Sequence, residues 1–155
     1  MRAVAPYFDD FVLAPDAINP ERIQLAWRHT TDDALFTADS LSDGTLRFMC
    51  LATLLLQPEL PSLIVIDEPE LGLHPLAIHQ LGALVRSAAV DTQIILATQS
   101  VTLLDEFNPD EIIVCEQHEG GSVFGRVEEP ALAAWLDEYS LGELWLKNVL
   151  GGRPR

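Results

Sequence analysis

The sequence predicts an α/β fold, with a mainly parallel central sheet flanked by helices and a β-hairpin added to it. Three observations predict this class. LIVID (63–67) and QIILAT (93–98) are short, continuous apolar runs rich in β-branched residues, as strands read when both faces are covered. Between them, His74-Pro75 opens the helix-periodic stretch LAIHQLGALVRSAA, with Pro75 at a first-turn position where its missing N–H costs nothing. The alternation of strand and helix continues to EIIVCEQ (111–117), and strands joined by helical crossovers pair in parallel.

The remaining elements follow in order. The first twenty residues hold three prolines and no sustained period, so 1–21 is expected to be an irregular lead-in. RIQLAWRH (22–29) alternates apolar and polar residues, and ALFTADS (34–40) pairs with it across Thr-Thr-Asp-Asp, making a hairpin over 22–40. A helix starts near Ser42, a good N-cap. TLRFMCLATLLLQ is apolar on nearly every side, which predicts burial all round until Pro58 and Pro61 end the helix. VTLLDEF predicts a short helix, and Gly120-Gly121 turns EIIVCEQ into VFGRVEE. The stretch from Pro130 to Leu150 reads as helix with a break at Ser140, and GGRPR as a loose end. The whole, 1–155, reads as a single domain with its core over 41–118 and a hairpin strand and helices over 119–155.

Charge narrows the partners. The net charge is −15, with eight arginines and the single lysine Lys147. So acidic a surface repels nucleic acid and anionic membranes. Apolar runs fall short of the roughly 20 residues that span a bilayer, and the N-terminus lacks a signal pattern. Cys50 and Cys115 lie apart in apolar runs and read as reduced core residues, so a cytoplasmic location is expected. Trp27, Trp135 and Trp145 read as packing residues rather than base-stacking platforms.

The chemistry centres on LIVIDEP. Two carboxylates, Asp67 and Glu68, stand at the C-terminal end of a core strand, where open α/β sheets place their ligands. Adjacent acids there need a partner, and Mg²⁺ with phosphate suits them, because this hard ion takes one or two carboxylates plus phosphate and water oxygens. Successive strand residues face opposite ways, so the two share a site only if the strand is ending. One helix upstream, LSDGTLR (41–47) puts Ser42 and Gly44 at a helix N-terminus, where exposed N–H groups and the positive dipole end attract anions. Downstream, ATQS (97–100) offers the Gln99 amide as a donor. Alone these are an acidic strand end, an ordinary N-cap and a polar strand end. Their fixed order on adjacent elements is the stronger signal.

Together these motifs resemble the RecF/SMC-like branch of ABC ATPases, specifically AAA_21-type proteins related to the overcoming-lysogenization-defect ATPases. LSDGTLR resembles the ABC signature, LIVIDEP a Walker B strand with its glutamate, ELGLHP a D-loop and ATQS a switch strand end. SLGELWLKNVLGG also resembles that group. The resemblance implies a P-loop NTPase lobe that binds and hydrolyses ATP with Mg²⁺. Asp67 would bind the metal through water, and Glu68 would be the general base. Gln99 would take the switch position. Ser42 and Gly44 would contact the γ-phosphate held by the opposite protomer, and Glu70, Leu71 and Gly72 would form the D-loop across the dimer. Three positions depart from the family pattern: Asp43 replaces the common glycine, Thr45 the usual glutamine or glutamate, and Gln99 the usual histidine. Glutamine donates to phosphate but carries no proton.

The sequence holds no GxxxxGK[ST], since Lys147 follows Leu146 rather than glycine. The resemblance is therefore to the C-terminal lobe, expected to be inactive alone and to act as a homodimer or with a P-loop-bearing lobe. DNA or a nuclease would be engaged only through the complete assembly, and no membrane. The alternative is a non-catalytic dimerisation or regulatory module derived from such an ATPase. HExxH, CxxC and GxSxG are all absent.

Overall fold

A computed structural model describes residues 1–127, 132 and 135–152. The chain divides into two compact units: Met1–Ser62 with Leu71–Gln93, and Leu63–Glu70 with Ile94–Arg155.

The first unit holds an antiparallel sheet of β1 (Phe8–Val12), β2 (Ala26–His29) and β3 (Asp32–Thr37), in that order. The β2–β3 hairpin turns at Thr30-Thr31, because His29 pairs with Asp32. β1 corrects the irregular lead-in. Its register shifts between Phe8 and Asp10, and this bulge breaks the two-residue period that a sequence reading relies on. Phe8 and Phe11, three apart, consequently meet edge to face at 4.6 Å. Phe8, Trp27, Ala5 and Leu41 form the buried cluster, with Phe36 stacked on Trp27 at 5.0 Å. The indole Nε1–H donates to Thr37 O and Ser40 Oγ, so the one polar atom of Trp27 is satisfied.

Two helices complete this unit. α1 (Asp43–Leu55) begins at the Ser42 N-cap, and α2 (Pro75–Ala88) begins at His74, whose ring accepts from Leu76 N–H. They pack on each other, and their buried residues include Phe48, Leu51 and Leu55 on α1 and Ala77, Ile78, Leu81 and Val85 on α2. Burial of α1 on every side is not observed: Thr45, Phe48, Leu51 and Leu55 define one face, and Cys50 and Thr53 are exposed. An all-apolar helix permits burial, but only neighbouring elements supply it. Cys50 and Cys115 are free, as expected, but both are exposed rather than core residues.

The second unit is built on β4 (Leu63–Asp67) and β5 (Gln93–Ala97), which pair. Hydrogen bonds from Gln93 N to Ser62 O at one end and Glu68 N to Ala97 O at the other run in the same direction along both strands, so the pair is parallel. Coverage on both faces is not observed: Ile64 is buried, but Leu63, Val65 and Ile95 are 47%, 65% and 49% exposed. β6 (Ile113–His118) does not extend this pair. It forms an antiparallel hairpin with β7 (Gly121–Arg126), since a partner two residues away closes a far smaller loop than a crossover does.

α3 (Val101–Leu104) packs against α4 (Leu141–Leu146), and Leu103, Leu104, Leu141 and Leu144 on them are buried. Gly142 makes this close: a Cβ there would lie 2.6 Å from Val101 O, and its N–H donates to Asp105 at 2.7 Å. Ser140, the expected break, is the N-cap of α4 in a capping box with Glu143. The helix start expected at Pro130 and the end Arg153–Arg155 lie outside the described residues.

Candidate functional site

The structure brings the sequence-predicted residues into two groups, one in each unit. Ser42, Gly44, Leu71 and Gly72 belong to the first; Asp67, Glu68, Glu70 and Gln99 belong to the second.

In the first group, α1 begins against the loop at residues 71–73. Ser42 Oγ accepts from Thr45 N–H at 3.2 Å and shares a hydrogen bond with Thr45 Oγ1 at 2.9 Å. Thr45 is buried and lies 3.5 Å from the Tyr7 hydroxyl, which gives its departure from the family pattern a packing reason. Gly44 meets the loop backbone: a Cβ there would stand 2.3 Å from Gly72 O. Gly72 has φ +77°, a conformation glycine adopts without steric cost. Arg47 donates to Leu71 O at 3.3 Å and fastens the same loop to the helix. The spacing of LSDGTLR therefore serves a local purpose, with capping and close approach in one turn.

In the second group, β4 ends at Asp67, which removes the objection that neighbouring strand residues face apart. Glu68 has φ +43°. A non-glycine residue held there costs on the order of 1–3 kcal/mol and persists only where its surroundings enforce it. Here the enforcement is a 2.8 Å hydrogen bond from Glu68 N–H to Ala97 O and the fully buried Pro69 that follows. Asp67, Glu68 and Gln99 are exposed, and among the described residues their side chains have no hydrogen-bond partner.

Glu70 behaves differently. Its Oε1 accepts from Thr98 Oγ1 at 2.5 Å, while Oε2 is buried without a partner among the described residues. The resemblance assigns Glu70 to a dimer-spanning loop, whereas its carboxylate is engaged within its own unit. Thr98 also accepts from Ser100 N–H at 2.9 Å, and Ser100 Oγ caps α3 by accepting from Leu103 N–H at 3.2 Å. Sequence reading missed Thr98 although it quoted ATQS. The available signal was a threonine two residues before a serine N-cap, a pattern that closes a local turn.

Among the described residues no group of three or more His, Cys, Asp or Glu side chains is arranged to hold a metal ion. The donors present fit Mg²⁺ only as an ion shared with phosphate and water, for which one or two open carboxylates suffice. Among the described residues, no helix is long and apolar enough to cross a membrane.

Solved structures share this fold. One, described for ATP-driven dimerization and DNA-stimulated activation of SMC ATPases, superposes with a TM-score of 0.64 at 15% identity over 88% of this chain and 84% of that one. The Smc head domain of Pyrococcus furiosus, bound to the C-terminal domain of ScpA, gives 0.64 at 16% identity over 88% of this chain and 35% of that one. The Smc head of Pyrococcus yayanosii gives 0.60 at 16% identity, with 88% and 27% covered. No curated protein matches the sequence significantly. The fold is thus that of an SMC-type ATPase head, a P-loop NTPase architecture. Residues 4–105, well over half of the chain, match AAA_21 (AAA domain, putative AbiEii toxin, Type IV TA system), and the chain belongs to that family.

Proposed function

We propose that this chain is the signature–Walker B lobe of an ATP-hydrolysing assembly whose P-loop comes from a separate lobe, within a homodimer. One observation carries the reading. Glu68 is forced to positive φ immediately after β4, its backbone is hydrogen-bonded to the end of β5, and its carboxylate has no partner among the described residues. A strained backbone presenting an unpartnered acid suits a general base awaiting a nucleotide and its water. Asp67 would hold Mg²⁺ through its water shell, and the metal would neutralise phosphate charge. Gln99 would orient the attacking water or the γ-phosphate. Ser42 and Gly44 would face the γ-phosphate bound by the opposite protomer, with Glu70, Leu71 and Gly72 in the D-loop. The exposed Leu63, Val65 and Ile95 on the β4–β5 pair support an added lobe, because apolar side chains in a core-type strand gain from cover.

Purified alone, the chain is expected to turn over little ATP; mixed with the P-loop lobe of its own assembly, it should hydrolyse ATP. Glu68→Gln in that mixture should cut kcat by about 10²–10⁴-fold while ATP remains bound. Robust turnover by the isolated chain, abolished by the same substitution, would overturn the dependence on a second lobe. A second reading, a non-catalytic dimerisation module, draws on the same exposed strand face. ATP-independent dimerisation with no turnover in the mixture would favour it.

A further inference from the structure

We propose that Glu70 and Thr98 are positioning residues that aim Gln99, an inference that rests on the ATPase reading above for its catalytic consequence but not for its geometry. Gln99 is the middle residue of the segment Thr98–Ser100, and its side chain is exposed and unpartnered among the described residues. A residue in that setting is aimed only by its backbone. Both neighbours are held. Ser100 is fixed as the N-cap of α3. Thr98 uses its hydroxyl twice, donating to Glu70 Oε1 and accepting from Ser100 N–H.

A hydroxyl has a single proton, so where that proton goes decides where its lone pairs point. The Glu70 carboxylate accepts the hydroxyl's hydrogen bond, which leaves a lone pair directed at Ser100 N–H and closes the turn around Gln99. Without Glu70 the hydroxyl rotor is free, and the turn loses its orientation. Glu68 N–H is bonded to Ala97 O, one residue before Thr98. Glu68 and Gln99, the base and the switch of the proposed reaction, are thus set by hydrogen bonds that meet at consecutive residues, 97 and 98.

The chemistry of Glu70 supports a dedicated role. Its Oε2 is buried with no partner among the described residues, an arrangement that solvation alone disfavours. An aliphatic residue would avoid that penalty if position 70 only filled space. A carboxylate oxygen that accepts from Thr98 supplies what such a residue lacks.

The test uses Thr98→Val, which keeps the shape and removes the hydroxyl, and Thr98→Ser, which restores it. In the isolated chain, amide exchange at Ser100 should quicken by about tenfold in Thr98→Val and stay near wild type in Thr98→Ser. In the assembly with the P-loop lobe, Thr98→Val should lower kcat by about 10–100-fold with KM for ATP within about twofold, because misplacing a positioned group costs rate rather than binding. Thr98→Ser should recover most of kcat. Unchanged exchange at Ser100 in Thr98→Val overturns the proposal whether or not the assembly hydrolyses ATP. Faster exchange with wild-type kcat overturns the aiming of Gln99. Absence of turnover in the wild-type assembly instead defeats the ATPase reading, and the exchange result still decides whether Thr98 holds the turn at Ser100.

Discussion

The N-terminus of α1 and the C-terminal end of β4 carry the two halves of the candidate chemistry, and they are built on opposite principles. At α1, the candidate residues are already occupied within the fold. Ser42 caps the helix and is bonded to Thr45, and Gly44 makes room for the Gly72 carbonyl. At β4, Asp67 and Glu68 have side chains without partners among the described residues, and the Glu68 backbone is strained and pinned. The first arrangement would be kept for stability alone. The second costs stability, so its retention calls for a functional account. A motif match therefore means different things at the two places: at α1 the residues have a complete structural explanation, and at β4 they do not.

Substitutions can break or sharpen this contrast. The largest effect is expected for Gly44→Ala. Alanine in a helix gains up to about 1 kcal/mol over glycine, but a 2.3 Å approach to a backbone oxygen cannot be relieved by rotating a side chain. Strain wins, with a net loss of about 1–3 kcal/mol in denaturant unfolding. A stabilised Gly44→Ala protein would show that the α1–loop contact is loose. Ser42→Ala should cost about 1 kcal/mol through the lost cap, measurable as a lower melting temperature.

Glu68→Gly should move the other way. The left-handed conformation costs a non-glycine residue roughly 1–2 kcal/mol, and glycine offsets part of that gain by its greater chain entropy, about 0.5–1 kcal/mol. The net expectation is stabilisation by about 0.5–1 kcal/mol together with loss of turnover in the complete assembly. A destabilised Glu68→Gly protein would place the carboxylate among the structural groups and erase the contrast.

The smallest effect concerns pH. Asp16 is held below the ordinary carboxylate range, chiefly by the Asn19 N–H and then by that of Ile18. Asp39 is lowered chiefly by the Thr37 hydroxyl and then by its own N–H. A lowered folded pKa gives stability that is present above the unfolded value and lost as pH falls through the folded one. Both groups are fully exposed, so a slight decline below about pH 4 is expected. Asp16→Asn should flatten part of it in acid melts, and an unchanged acid limb would remove Asp16 as a contributor.

Much of the framework was legible in the sequence because its signals are local. Ser42 and Pro75 mark helix starts through caps and missing N–H groups, and LIVID and QIILA mark strands through composition. β1 was not legible, because its bulge puts Phe8 and Phe11 out of the alternating pattern. Nor was the exposure of Cys50 on α1, since an apolar neighbourhood in sequence does not say which face finds a partner.

The sequence by itself determined the order of the site: which residues end β4 and β5, and which residue caps α1. These follow from backbone propensities and capping chemistry within a few residues. Only the tertiary structure decided how each residue is used. It set Glu68 at positive φ against Ala97, gave Glu70 to Thr98 and seated Gly44 on Gly72. Each of these depends on groups more than twenty residues apart in the chain. Long-range approach is fixed by packing and hydrogen-bond geometry, which no local pattern of residue types encodes.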